Sequence, residues 1–114
     1  MKVVEKPWGR ETTLEANEHY AFKKLEMNAG HRCSLQYHAE KHETIYVHNG
    51  ILQVTTGDTV DNLSDRILKE GDVIIIPPGQ IHRMKAIETA IYLEASTPHM
   101  NDVVRLSDDY GRLQ

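Results

Sequence analysis

The segment from Gly30 to Gly50 constrains this chain more than any other part of its sequence. It reads GHRCSLQYHAEKHETIYVHNG and brings Gln36, His38 and Glu43 close together. The residues around the first two alternate between apolar and polar, as in a strand with one buried face, and residues two apart on a strand share a face. Glu43 opens a neighbouring strand, which the sequence predicts to end in a hairpin turn at Asn49-Gly50. An amide oxygen, an imidazole and a carboxylate on adjacent strands predict most of a metal site.

A second segment, Gly71 to His82, offers the remaining ligand. It reads GDVIIIPPGQIH, which predicts a β-branched strand, a turn at Pro77-Pro78-Gly79, and a histidine at the start of the next strand. Two imidazoles, one carboxylate and one neutral oxygen suit Zn²⁺, and Mn²⁺, Fe²⁺, Co²⁺ or Ni²⁺ bind similar donors. We therefore expect a divalent metal held by four residues: Gln36, His38, Glu43 and His82.

The two segments together resemble the paired motifs of the cupin barrel. The first motif matches at Gly30, Gln36, His38, Glu43 and Gly50, and the second at Gly71, Pro77, Gly79 and His82. This chain departs from the general pattern in two places: Gln36 replaces a histidine and Ala86 replaces an asparagine.

The glutamine narrows the resemblance to one branch of the cupins. The chain resembles the mannose-6-phosphate isomerase domain at the end of bifunctional mannose-1-phosphate guanylyltransferases, the type II phosphomannose isomerases. The resemblance covers nearly the whole chain, although the family's histidine-rich run is here Ala39-Glu40-Lys41-His42. The residues that carry it are Lys6-Pro7-Trp8-Gly9-Arg10, Ser34-Leu35-Gln36, Asp102-Val103-Val104-Arg105-Leu106 and Asp109-Tyr110-Gly111-Arg112.

Short runs with strand periodicity, separated by turn residues, predict an all-β barrel or sandwich. With the resemblance, this implies a single cupin domain over residues 1–114, a jelly-roll-like β-barrel with at most one short C-terminal helix. We expect that helix within Asn101 to Asp109. The polar segment from Thr59 to Arg66 is expected to be irregular, and Trp8 is expected to pack at the barrel edge.

The resemblance implies a metal-dependent aldose–ketose isomerase that interconverts mannose 6-phosphate and fructose 6-phosphate through an enediol. Such a reaction needs a base to move a proton between two carbons, and Lys23, Glu94 and His99 are candidates. Lys23 is a buried cation if its strand face points inward and a solvated residue in the opposite register. Arg105 is the candidate for binding the phosphate, since guanidinium forms two parallel bonds with it; Arg112 and Arg10 are weaker candidates.

Two other functions stay open at this point. A cupin can hold a metal and bind a sugar without chemistry, or it can be an iron dioxygenase, for which Gln36 is a poor substitute for histidine. The remaining histidines are expected to be surface or rim residues, with His42 and His99 the first candidates among them to face the pocket. They are His19, His31, His42, His48 and His99.

The net charge of −4 gives no indication of nucleic acid or an anionic membrane as a partner. The single Cys33 cannot form an internal disulfide, which is typical of the cytoplasm. The resemblance also implies a homodimer formed through edge strands.

Overall fold

The structure, a computed structural model, describes residues 1–113, and these contain strands and turns but no helix. The polar turns and the alternating apolar residues between them give nine strands. They are β1 (Lys2–Lys6), β2 (Gly9–Ala16), β3 (Ala21–Met27), β4 (Leu35–Tyr37), β5 (Glu43–Gly57), β6 (Leu63–Leu68), β7 (Val73–Ile76), β8 (Ile81–Ser96) and β9 (Val104–Ser107). The predicted all-β class is confirmed.

Two long bent strands, β5 and β8, hold the barrel together because they pair antiparallel over their whole length. The first half of β5 and the second half of β8 belong to one wall, in which the strands run β1-β2-β3-β8-β5-β7. The other halves belong to the opposite wall, in which they run β9-β4-β8-β5-β6. The single sheet therefore curls into the jelly-roll-like barrel that the motifs predict.

The inner faces of the strands form the core. In β3, every second residue is buried, and these residues are Ala21, Lys23, Leu25 and Met27. Lys23 therefore takes the inward register, while Tyr20 is half exposed. Trp8 is buried within the apolar cluster. It also borders the interior cavity.

The prediction of a hairpin turn at Asn49-Gly50 is wrong. β5 continues through these residues, and its pairing with β8 shifts register on both sides of Asn49. A bulge of this kind bends a strand without reversing it, and Gly50 has a φ of +86°. The strand that carries Glu43 is also not adjacent to β4, because β8 lies between them and pairs with both.

Two further segments differ from their predicted structure. The helix expected within Asn101 to Asp109 is a strand, because Val104 to Ser107 forms β9 and pairs with β4. The segment expected to be irregular, Thr59 to Arg66, contains the start of β6 at Leu63. In the first case pairing with the distant β4 overrides the local signal, and in the second case pairing with the end of β5 does so, since sheet propensity depends strongly on the neighbouring strand.

Four strands, β1, β6, β7 and β9, pair with only one other strand and so leave an edge free. The homodimer through such an edge stays a prediction. Among residues 1–113 there is no helix with the length and apolar character needed to cross a membrane.

We expect Gly50→Ala to destabilise the fold much more than Gly71→Ala. Both glycines have positive φ, +86° and +91°, so alanine costs roughly 1–2 kcal/mol of backbone strain at either position. Only at Gly50 would the new Cβ also lie 2.2 Å from a backbone oxygen, that of Thr89, and overpacking of this kind adds roughly 1–3 kcal/mol. Urea denaturation of both variants measures the difference, and equal losses would contradict the bulge.

Candidate metal centre

A cavity of about 440 Å³ opens into the barrel between its two walls. Most of its charged lining comes from inward-facing strand residues, and the loop between β4 and β5 and the C-terminal segment supply the rest. The charged and ligand-type side chains in its lining are Lys2, Lys6, Glu11, Lys23, Gln36, His38, Lys41, Glu43, His82, Glu94, Arg105 and Arg112.

Three of these side chains converge on one point. Oε1 of Glu43 lies 3.3 Å from Nε2 of His38 and 3.3 Å from Nε2 of His82. All three residues are buried, and their ligand atoms lie within 4.8 Å of one another. The structure thus brings together three of the four side chains predicted to bind a metal, from β4 and its following loop, β5 and β8.

Backbone carbonyls fix the direction in which both imidazoles point. The Nδ1–H of His38 donates to the carbonyl of Asp102, and the Nδ1–H of His82 donates to the carbonyl of Gln80 over 3.0 Å. With the proton on Nδ1, each ring presents the lone pair of Nε2 to Glu43. Carbonyl partners of this kind orient histidine ligands in metal sites.

The arrangement fits a metal because acceptors face one another without a proton between them. Among the described residues, the buried Nε2 of His38 has no hydrogen-bond partner, and burying such an atom unpaired costs free energy. Ligands about 2.0–2.1 Å from a tetrahedral Zn²⁺ ion lie roughly 3.3–3.4 Å apart, which is close to the spacing found here. His38, Glu43 and His82 therefore form a suitable divalent metal site.

Gln36 lies beside this group. It pairs with His82 on β8 and with Arg105 on β9, and directly paired residues of antiparallel strands point to the same face. All three border the cavity. Oε1 of Gln36 accepts a hydrogen bond from the hydroxyl of Ser34, which orients the amide. A carbonyl oxygen has a second lone pair, so its role as fourth ligand stays a prediction.

Glu43 is kept ionised by its neighbours. Burial alone would raise the pKa of its carboxyl, but the nearby Lys41 ammonium helps to hold that pKa well below its usual range. Nζ of Lys41 lies 3.4 Å from Oε2 of Glu43. The site consequently offers a carboxylate, the form that binds metal ions.

Glu94 forms a second acidic position in the cavity. Its carboxylate accepts a hydrogen bond of 3.0 Å from Nζ of Lys41. Burial, followed by the negative charge of Glu43, raises the pKa of Glu94 to about 7. Burial would lower the pKa of Lys41, but the carboxylates of Glu94 and Glu43 raise it above its usual value. Lys23 pairs across the sheet with Glu94 and lies 3.5 Å from Oε2 of Glu11.

The three arginines that are candidates for binding the phosphate differ in their position and contacts. Arg105 and Arg112 both border the cavity, and within residues 1–113 the buried Nε of Arg105 has no hydrogen-bond partner. Arg112 is bound through its guanidinium to Asp108. Arg10 lies outside the cavity lining and contacts Glu5 and Glu26 on the surface. Of the three arginines, Arg105 is therefore the best placed to bind an anion in the cavity.

The two histidines expected to face the pocket, His42 and His99, do not border it. His42 is exposed. The Nδ1 atom of His99 lies 2.8 Å from the Thr97 hydroxyl, and its Nε2 is 3.8 Å from Glu40. Neither residue therefore faces the cavity, and both fit the expectation of surface or rim residues.

Sequence reasoning missed Lys41 and Asp102. Lys41 lies two residues before Glu43, and that spacing could have placed the two on one face. Asp102 could not have been found locally, since it acts on residues about sixty positions away: its carboxylate accepts from the backbone amides of Ala39, Glu40 and Lys41. It thereby fixes the loop that precedes Glu43.

Comparison with known proteins gives a consistent result. Residues 1–108 match the family described as mannose-6-phosphate isomerase C-terminal. The chain is 31% identical to the xanthan biosynthesis protein XanB of Xanthomonas campestris and 30% identical to the mannose-1-phosphate guanylyltransferase ManC of Salmonella typhimurium. Each alignment covers 96% of this chain but only 23% of the relative, so the chain spans about a quarter of these proteins.

Solved structures with the same fold are more distant in sequence. An oxalate decarboxylase from Lactobacillus farciminis superposes with a TM-score of 0.78 at 20% identity, over 92% of this chain and 33% of that one. KdgF from Halomonas sp. superposes with a TM-score of 0.76 at 16% identity, over 87% of this chain and 89% of that one. CapF from Staphylococcus aureus superposes with a TM-score of 0.80 at 14% identity, over 93% of this chain and 34% of that one. These similarities establish the cupin fold.

We expect His82→Ala to lose its metal and keep its fold. Loss of a residue that only orients a metal ligand already weakens metal binding about 10–100-fold. Loss of a ligand itself should therefore weaken it roughly 100-fold or more. The exposed His48 on β5 provides the control, and His48→Ala should retain wild-type metal content. Elemental analysis of both purified variants, with circular dichroism to monitor folding, makes the measurement. A His82→Ala variant with full metal content would contradict the site.

Proposed function

The chain belongs to the mannose-6-phosphate isomerase C-terminal family, and on that premise we propose that it is a metal-dependent isomerase of mannose 6-phosphate and fructose 6-phosphate. One observation carries the proposal: the His38–Glu43–His82 group and the unpaired guanidinium nitrogen of Arg105 share one cavity. A sugar phosphate needs both, since its reacting carbons and its phosphate lie at opposite ends.

His38, Glu43 and His82 would hold the metal, with the amide oxygen of Gln36 as a fourth ligand. Zn²⁺ is our first choice because the ligand spacing suits a four-coordinate ion. Mn²⁺ is the main alternative, since Mn(II) centres are named for the oxalate decarboxylase of Bacillus subtilis, a cupin-fold neighbour with 18% identity. When bound, the ion supplies an electrophile that stabilises negative charge on the substrate's carbonyl and hydroxyl oxygens.

Arg105 would bind the phosphate. The guanidinium forms two parallel charge-assisted bonds with phosphate oxygens, and Nε of Arg105 is already buried without a partner. Its place in the row β8-β4-β9, two strands from His82, lets a hexose phosphate lie along the cavity wall with its reacting end at the metal ligands.

Glu94 is our candidate for the base that moves the proton between C1 and C2. It is a buried carboxylate in the cavity outside the metal-binding group. Of the other candidates, Lys23 forms an ion pair with Glu11. His99 lies outside the cavity lining. The carboxylate takes the proton from C2 of the aldose, and O1 gains a proton, to give the enediol. Glu94 then returns its proton to C1 and O2 loses one, so that the ketose forms with no net change in protons.

We expect Glu94→Gln to lower kcat about 10²–10⁴-fold, the usual contribution of a general base. The amide keeps the shape of the side chain but cannot accept the proton. Deuterium incorporation from D₂O into the substrate, followed by proton NMR, reports the proton transfer itself, and metal content should not change. Wild-type deuterium exchange in Glu94→Gln would transfer the role to another residue.

We expect Arg105→Ala to raise KM about tenfold to 150-fold. Loss of a charge-assisted contact costs roughly 1.5–3 kcal/mol, and each ~1.4 kcal/mol is a factor of ten in affinity. Arg10→Ala is the matched control, because that arginine lies outside the cavity lining on the surface. Steady-state kinetics with mannose 6-phosphate measures both variants.

Metal content in Arg105→Ala should equal that of the wild type. An unchanged KM in this variant would overturn the phosphate assignment and favour a protein that binds sugar without turning it over.

A further inference from the structure

Lys41 is a buried cation in the loop between β4 and β5, and neither the metal site nor the phosphate site uses it. Its Nζ lies 3.0 Å from Oε2 of Glu94 and 3.4 Å from Oε2 of Glu43. Its backbone amide donates to the carboxylate of Asp102 over 2.8 Å. Both ends of the residue are therefore fixed, and its ammonium group is held beside a predicted metal ligand.

The two oxygens of Glu43 consequently have different surroundings. Oε1 faces the Nε2 atoms of His38 and His82 at 3.3 Å each, whereas Oε2 faces Lys41. A carboxylate can bind a metal through one oxygen or through both. Binding through both would require Oε2 to leave the ammonium group and turn toward the imidazoles.

We propose that Lys41 is a positioning residue that restricts Glu43 to binding the metal through Oε1 alone. This inference rests on the metal-binding part of the proposed function. Its consequence is that Oε2 does not take a fifth coordination position, which stays available to the substrate's oxygens because zinc in catalytic sites can expand to five ligands.

The charge of Lys41 argues against the simpler view that it strengthens metal binding. An ammonium group this close to the site repels a divalent cation, and the interaction is strong in a buried environment. Since Lys41 lowers the affinity in this way, its position beside Oε2 points to control of the ligand geometry. Glu94 supports that role, because its hydrogen bond to Nζ holds the ammonium group in place.

The test compares crystal structures of the Zn²⁺-loaded wild type, Lys41→Met and Lys41→Arg. In the wild type and in Lys41→Arg, we expect one oxygen of Glu43 within about 2.0–2.2 Å of the ion. In Lys41→Met, which keeps the length of the side chain but removes its charge, we expect both oxygens to bind. Two bound oxygens in the wild type would overturn the inference whether or not the variants fold.

Zn²⁺ affinity gives an independent readout in solution. Competition with a chromophoric chelator should show that Lys41→Met binds Zn²⁺ about tenfold more tightly, since a repelling charge is lost and a second bond is gained, whereas Lys41→Arg should match the wild type. Weaker binding by Lys41→Met would mean that Lys41 only supports the structure, and it would overturn the inference.

The outcomes for this inference and for the proposed function are separate. Two bound oxygens in a wild-type protein that isomerises mannose 6-phosphate would overturn the role of Lys41 alone. One bound oxygen in a wild-type protein without isomerase activity would support the role of Lys41 and overturn the proposed function.

Discussion

The burial of the Glu43 carboxylate is the constraint on which the rest of the site depends. An ionised carboxylate inside a protein is costly unless charges and hydrogen bonds compensate it. Here the Lys41 ammonium lies 3.4 Å from it, and the Nε2 atoms of two imidazoles lie 3.3 Å from it. A metal ion bound by the carboxylate and the two imidazoles would supply the remaining positive charge. The ammonium group and both imidazoles need their own support, which the carbonyls of Asp102 and Gln80 and the carboxylate of Glu94 supply. A pre-formed site follows, because each support comes from a different part of the barrel.

The long strands β5 and β8 explain how one small barrel holds both an apolar core and a polar cavity. Each strand crosses from one wall to the other at its bulged region. Inward residues of β5 such as Ile45, Val47 and Leu52 are fully buried in the core, while Glu43 at the start of the same strand enters the cavity. The bend at Gly50 therefore fixes both the closure of the barrel and the position of a metal ligand.

The sequence predicted the all-β class and the residues that meet at the centre, because ligand types at strand spacing carry a strong local signal. It did not predict the course of β5, since Asn-Gly suits a hairpin turn and a bulge equally well, and the choice depends on the approach of Thr89 from β8. Nor did it predict β9, whose partner β4 is about seventy residues away. The role of Asp102 also depends on such a distant contact.

The most direct test of the central claim is reconstitution of isomerase activity with metal. The protein is stripped with a chelator, Zn²⁺ is added in steps, and conversion of mannose 6-phosphate to fructose 6-phosphate is followed by NMR at each step. Our account predicts no conversion without metal and a linear rise that stops when the metal equals the protein. Full conversion by the stripped protein, or none at full metal loading, would contradict it.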